Sequence, residues 1–199
     1  TETAEIDERL FNIERNLYLE DNAAYGLRWF RNKDIYERTK ASRYSVANAE
    51  NAAGNGDQNP QNDFDSLYPW SQMRRCNVAD NGTVNAYLGD AGYAVDGSNG
   101  QVMVEIPYFY YKATKDADNV LHWSVSEFPL DGYTLHPAFI RNGKKKSKIY
   151  LAAYEGNESG GVLRSISGVQ PTTNDGSLAG TLPDFRTYAQ ARGTGWNIV

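Results

Sequence analysis

The chain has 199 residues, 40% of them hydrophobic and 13% aromatic, and its 20 Lys and Arg against 25 Asp and Glu leave a formal charge of −5. A globule of this length hides on the order of 70% of its unfolded surface, so one domain with a small attachment needs neither a disulfide nor a structural metal, and Cys76 has no second cysteine to pair with. No apolar run approaches the ~18 residues of a membrane span, the N-terminus TETAEIDERL is acidic where an export signal is basic, and the net negative charge disfavours nucleic acid and anionic lipid as partners.

Residues 4–21, AEIDERLFNIERNLYLED, lack Gly and Pro and place Ile6, Leu10, Ile13 and Leu17 at spacings of four, three and four. That is a short heptad seam and predicts a helix. Two heptads are marginal by themselves, because isolated helices below roughly 12–15 residues barely offset the cost of nucleation. The seam therefore needs a partner, either the chain's own domain or another protein, and residues 1–22 are read as a docking or oligomerisation helix. Phe11 and Leu19 are expected to widen its apolar face.

Residues 23–67 read as a strand followed by a connector. LRWFR after Gly26 alternates with period two, as a strand does. The stretch from Asn48 to Asp65, NAENAAGNGDQNPQNDFD, buries too little to offset its ordering entropy and is expected to be a long flexible surface loop.

From Tyr68 onward the pattern is β-rich. GTVNAYLG, QVMVEIPYFYYKA and VLHWSVSEF each alternate apolar and polar residues between turn signals such as Asn81-Gly82, Asp96-Gly97 and Asn99-Gly100. The second of these is expected to run as one strand with Val102, Val104 and Ile106 on one face, joined to the third through a TKDADN hairpin loop. RNGKKK reads as a turn before a further strand, SKIYLAAYEG. Thr181 and Asp184 form a capping-box pattern, and Phe185, Tyr188, Ala189 and Arg192 follow it at helical spacing until Gly193.

Little in the sequence points to catalysis. His122 and His136 are the only histidines, and neither has a second imidazole at metal-binding spacing. Cys76 follows Arg74 and Arg75, whose field lowers a thiol pKa, yet a cysteine beside apolar strands reads first as a small buried hydrophobe. Asp116 and Asp118 have the spacing of a calcium loop without its glycine or distal glutamate, and read as a solvated hairpin turn. No Gly-rich segment has a phosphate-binding pattern. No catalytic residue, metal site or cofactor is expected. Arg141, Lys144, Lys145, Lys146 and Lys148 concentrate positive charge around Asn142-Gly143, as a soluble hairpin tip or as a contact for an anionic surface polymer.

The segments SQMRRCNVADNGTVNAYLGDAGYAVDGSNGQVMVEIPYFYYK, LHPAFIRNG, IYLAAYEG, SISGVQPT and FRTYAQARGTGW, spread over residues 70–196, resemble a family of phage and prophage virion proteins. Its members are tail or head fibre and structural proteins, related to the C-type-lectin-like fold shared by formylglycine-generating enzymes and phage tropism determinants. The resemblance implies an α+β fold: an N-terminal helix, then a β-rich, C-type-lectin-like domain over residues 68–199, shaped by Gly156, Gly168, Gly193, Gly195 and Trp196. In relatives the second half of the fold follows the GTGW motif, so the domain is expected to be incomplete at its C-terminus. The paired cysteines and metal ligands of the enzymatic relatives have no counterparts here, and formylglycine chemistry is not expected.

The implied function is that of a non-enzymatic virion component, a fibre, spike, tail or head-fibre protein that attaches to the host surface. A free carbohydrate-binding module and a surface-glycan hydrolase are the other classes considered. Ile6, Leu10, Ile13 and Leu17 are expected to hold a homo-oligomer, a trimer first of all, or to dock on other virion proteins. Tyr108, Tyr110, Tyr111, Lys144, Lys145 and Lys146 are the candidate contacts for a host cell-surface glycan, because aromatic rings stack on sugar faces. Strand alternation sets Tyr108 and Tyr110 on one side and Tyr111 on the other.

Overall fold

The computed structural model describes residues 2–33, 35–39, 65, 67–173 and 181–198. The long polar segment expected to be a surface loop lies outside the described residues except at Asp65. Among the described residues two helices and thirteen strands make a strand-rich α+β chain. In order these are α1 (Glu2–Ala23), β1 (Ala24–Phe30), β2 (Ile35–Thr39), β3 (Arg74–Val78), β4 (Val84–Tyr87), β5 (Gln101–Pro107), β6 (Tyr110–Lys115) and β7 (Val120–Ser126). There follow β8 (Thr134–Leu135), β9 (Ile140–Arg141), β10 (Lys144–Lys145), β11 (Lys148–Ala152), β12 (Asn157–Ser159), β13 (Val162–Arg164) and α2 (Leu182–Gln190). The chain divides into two compact units, one drawn from residues 1–72 and 107–148 and the other from 73–106 and 149–199.

In the first unit α1 passes into β1 without an intervening loop. A five-stranded sheet has the order β2-β1-β7-β6-β8. β1 pairs antiparallel with β7 along its whole length, from Ala24 opposite Ser126 to Phe30 opposite Val120. Gly26 makes that pairing possible, since a Cβ there would stand 2.1 Å from the Trp123 carbonyl oxygen and 2.8 Å from Ser124 Cα. β6 and β7 form the expected hairpin, with Lys115 opposite Leu121 next to the turn.

Asp116 organises that turn. Its Oδ1 accepts from the backbone N–H of Asp118 at 3.0 Å and of Val120 at 2.9 Å, and its Oδ2 lies 3.1 Å from His122 Nε2. The hydrogen bond to His122, followed by that from Val120, holds the Asp116 carboxyl below the usual carboxylate range. A carboxyl depressed in the folded state stabilises it above the unfolded pKa, near 4, and that contribution is lost as pH falls through the lower folded value. The Val120 amide resonance is therefore expected to titrate below about pH 4 in the wild type and to stay flat in Asp116→Asn. A flat wild-type curve would show that the turn is not capped in this way.

The second unit is centred on a four-stranded sheet of order β11-β5-β3-β4. Here the structure departs from the expected single strand QVMVEIPYFYYKA. It breaks after Pro107, and its halves lie in different sheets, β5 beside β3 and β6 beside β7. Proline has no N–H to give a ladder. Beyond it the chain leaves β5, and the Tyr108 N–H donates to the Ser147 carbonyl instead.

β5 keeps Val102, Val104 and Ile106 on one face, and its opposite face is covered as well. Val102 is fully buried, but so in large part are Met103 and Glu105 on the opposite face. The reason is that both faces of this sheet are covered. On one, Cys76, Val78 and Met103 pack with Val84, Tyr87, Tyr150 and Trp196. On the other, the buried Asn77 side chain donates to the carbonyls of Ala94 and Gly100 and accepts from the Ala94 N–H, while Ser165 bonds backbone groups of Val102. Cys76 is thus a core residue at 0% exposure. The C-terminal segment is tied down through Asp80, whose carbonyl accepts from Trp196 Nε1 at 2.8 Å and whose carboxylate meets Arg192 at 2.7 Å. α2 begins with the capping box read from sequence, Thr181 and Asp184 bonding each other's backbone N–H.

Candidate functional site

Two features of the first unit bear on function, a stripe on α1 and a cluster of tyrosines around one lysine. On α1, Ile6, Leu10, Ile13 and Leu17 stand 57%, 53%, 55% and 58% exposed. Helical periodicity puts them within one narrow stripe. Phe11 and Tyr18 are also exposed, but 100° per residue places them more than a quarter turn away, so Phe11 does not widen the seam as expected. The Leu19 side chain lies outside the described residues. None of the helices among the described residues is long and apolar enough to cross a membrane.

The cluster is built by the β9–β10 hairpin. Asn142 at φ 52° and Gly143 at φ 71° make its two-residue turn, a left-handed pair that Asn-Gly adopts with little strain. The turn carries Lys144 and Lys145 back along β9. Lys145 Nζ then sits 3.3 Å from the Tyr108 ring centroid and 5.0 Å from that of Tyr110, and it donates to the Tyr110 hydroxyl at 3.2 Å. The two rings meet edge to face, 6.1 Å apart at 90°. An ammonium over two ring faces gains from both quadrupoles. Tyr68 closes the group, its hydroxyl donating to the Tyr108 carbonyl. Burial first, and then the neighbouring Tyr108, Glu127 and Tyr110, push the Tyr68 hydroxyl well above its ordinary pKa, so it remains a neutral donor.

The structure therefore brings Tyr108, Tyr110 and Lys145 together and sets the other three candidates apart. Tyr111 turns to His136, ring centroids 5.4 Å apart, and His136 in turn lies against Phe109 and the fully buried Phe139. His136 also caps the short 3-10 turn Pro137–Phe139 through Nδ1, so its role is structural. Lys144 and Lys146 are exposed. Tyr108 and Tyr110 are half-buried, and one face of the Tyr108 ring carries the Lys145 ammonium.

Two arrangements escaped the reading of the sequence. In the first unit Trp29 stacks on Tyr36 at 5.6 Å and 6° and on Trp123 at 6.3 Å and 22°, with Trp123 40% exposed. The period-two pattern of LRWFR carried a signal for this face, but not for its neighbours across the sheet. In the second unit Glu105, 6% exposed, accepts from Arg74 at 3.1 Å, from the Tyr87 hydroxyl at 3.0 Å and from the Tyr150 hydroxyl at 3.2 Å. These four residues come from all four strands of the sheet, and the Arg74 guanidinium lies 3.8 Å over the Tyr87 ring. Arg74 stands directly opposite Glu105 in the β3–β5 register. Each carboxylate oxygen is thus engaged, which suits a fixed structural anchor better than a group that must exchange protons. Among the described residues no group of three or more His, Cys, Asp and Glu is arranged to hold a metal ion.

No protein-family model, no curated protein and no solved structure matches the chain.

Proposed function

We propose that the chain is a non-enzymatic structural protein of a bacteriophage virion, a fibre, spike, tail or head-fibre component. In this reading α1 holds it in a homotrimer or on other virion proteins, and a C-type-lectin-like body contacts a glycan on the host surface. One observation carries the proposal: the seam of α1 is exposed at all four positions on a helix that leads straight into the first sheet. A helix of this length owes its stability to the packing of its apolar face, so a seam left open among the described residues is suited to a partner. The resemblance of residues 70–196 to virion proteins supplies the kind of partner.

For the glycan contact, Lys144, Lys145 and Lys146 are all exposed, and Lys145 is held on the Tyr108 and Tyr110 rings, so Lys144 and Lys146 are the lysines whose replacement leaves that cluster intact. Lys144→Ala with Lys146→Ala is expected to reduce adsorption to host cells while leaving the melting temperature within about 2–4 °C, since each exposed substitution falls within about ±0.5 kcal/mol. Unchanged adsorption would remove the hairpin from the host contact.

Docking is tested by Leu10→Asp with Ile13→Asp. Each buried Leu contributes about 1.5–3 kcal/mol, and a carboxylate in its place opposes burial further. The double variant is expected to keep the β circular dichroism of the body and to be missing from purified particles, where a labelled antibody finds the wild-type chain by electron microscopy. Wild-type incorporation of the variant would overturn the reading.

The exposed Trp123 end of the aromatic stack favours a second reading, a free carbohydrate-binding module. In that case Trp123→Ala weakens glycan binding and the seam substitutions change nothing.

A further inference from the structure

We infer that α1 assembles with further copies of this chain as a parallel, in-register coiled coil, in which Arg9 of one helix faces Glu14 of the next; this rests on the docking role given to α1 above. Written as heptads, the seam places Leu10 and Leu17 at a and Ile6 and Ile13 at d. Leu at a with Ile at d suits three or more helices, because a β-branched residue at d packs poorly in the two-stranded geometry.

Polarity follows from the flanking charges. Arg9 falls at g and Glu14 at e, on opposite sides of the seam. Within one helix they cannot meet, since only residues three or four apart are neighbours. In a parallel coil, g of one helix lies against e of the following heptad on its neighbour, and there Arg9 meets Glu14. In an antiparallel coil with the seam in full overlap like flanks face each other, so Arg9 meets Asn16 and Glu14 meets Asp7, and neither finds its opposite charge. Both residues are exposed in the single chain, as are the four seam positions. Glu5, one turn before Arg9, is its competing partner on the same helix. The occupant of the seam is thus a second copy, since Arg9 and Glu14 are two halves of one pair, while the pair one heptad earlier, Glu2 and Asp7, is like-charged and adds nothing.

The test uses the full chain. Cys76 is 0% exposed, so a cysteine introduced at Leu10 is its one accessible thiol among the described residues. Under mild oxidation Leu10→Cys by itself is expected to give disulfide-linked dimers. An antiparallel coil would cross-link only in a mixture of Leu10→Cys and Ile13→Cys chains, and that pattern would overturn the inference. Light scattering should give a wild-type mass of at least three chains. Arg9→Glu and Glu14→Arg are each expected to weaken association by about tenfold, and their combination to restore it, because the pair is re-formed with its signs exchanged. A double variant as weak as the single ones overturns the pairing. A monomeric wild type overturns self-assembly altogether, and the particle incorporation of Leu10→Asp with Ile13→Asp then decides separately whether α1 docks on another protein.

Discussion

Glu105→Ala is expected to lower the unfolding free energy by about 2–4 kcal/mol, the combined effect of an unpaired cation and two hydroxyls that lose their acceptor. The carboxylate is 6% exposed and holds Arg74, Tyr87 and Tyr150, so it links every strand of the second unit's sheet. Arg74 limits the loss, because its side chain is 55% exposed and water can solvate the released guanidinium. The two tyrosine hydroxyls are more enclosed and carry most of the cost. At this chain length each kcal/mol moves the melting temperature by roughly 2–4 °C, so a drop of about 5–15 °C follows. Glu105→Gln keeps an acceptor for one hydroxyl and should lose less. Urea unfolding of the three proteins checks the order. A change below about 1 kcal/mol for Glu105→Ala would mean that water replaces the carboxylate without loss.

Phe139→Ala is expected to cost about 3–5 kcal/mol, the usual range for deleting a buried ring. Phe139 is fully buried and meets Phe109 edge to face at 5.3 Å and His136 at 6.1 Å. The effect extends to the proposed host contact. The Phe139 carbonyl accepts from the Lys146 N–H at 2.7 Å, and Phe139 immediately precedes β9 in the hairpin that carries Lys144, Lys145 and Lys146. Loss of the ring should therefore loosen the hairpin and reduce adsorption together with stability, whereas the Lys144 and Lys146 substitutions reduce adsorption alone. Phe139→Leu, which refills much of the volume, should recover most of both. If Phe139→Ala melts as the wild type does, the aromatic cluster is not the support of the hairpin.

The local signals in the sequence were strong where the physics is local. The Gly-free heptad of α1, the Thr181 and Asp184 capping box and the Asn142-Gly143 turn depend on residues within one or two turns of each other, and all three elements form where those residues stand. The TKDADN loop belongs with them, because Asp116 closes it by bonding N–H groups two and four residues away.

The arrangement across strands was decided by tertiary structure. Alternation in QVMVEIPYFYYKA announced β-structure but could not say that Pro107 would part it between two sheets, or that β5 would be covered on both faces. Period two tells which residues share a face and is silent about what will cover it. For that reason the alternation carried no sign that Glu105 is buried, and its burial depends on Arg74, Tyr87 and Tyr150, brought up from 18 to 45 residues away. The same holds for the candidate site. The tyrosines and lysines were visible as composition, but Lys145 reaches Tyr110 across 35 residues, and only the hairpin's placement determines that its ammonium lies on the rings. Thus the sequence by itself determined the helices, the turns and the alternating faces, because short-range sterics and hydrogen bonds specify them. Strand order, the two-sided burial of β5 and the division of labour among the lysines came from tertiary structure, because each depends on contacts between segments that are far apart in the chain.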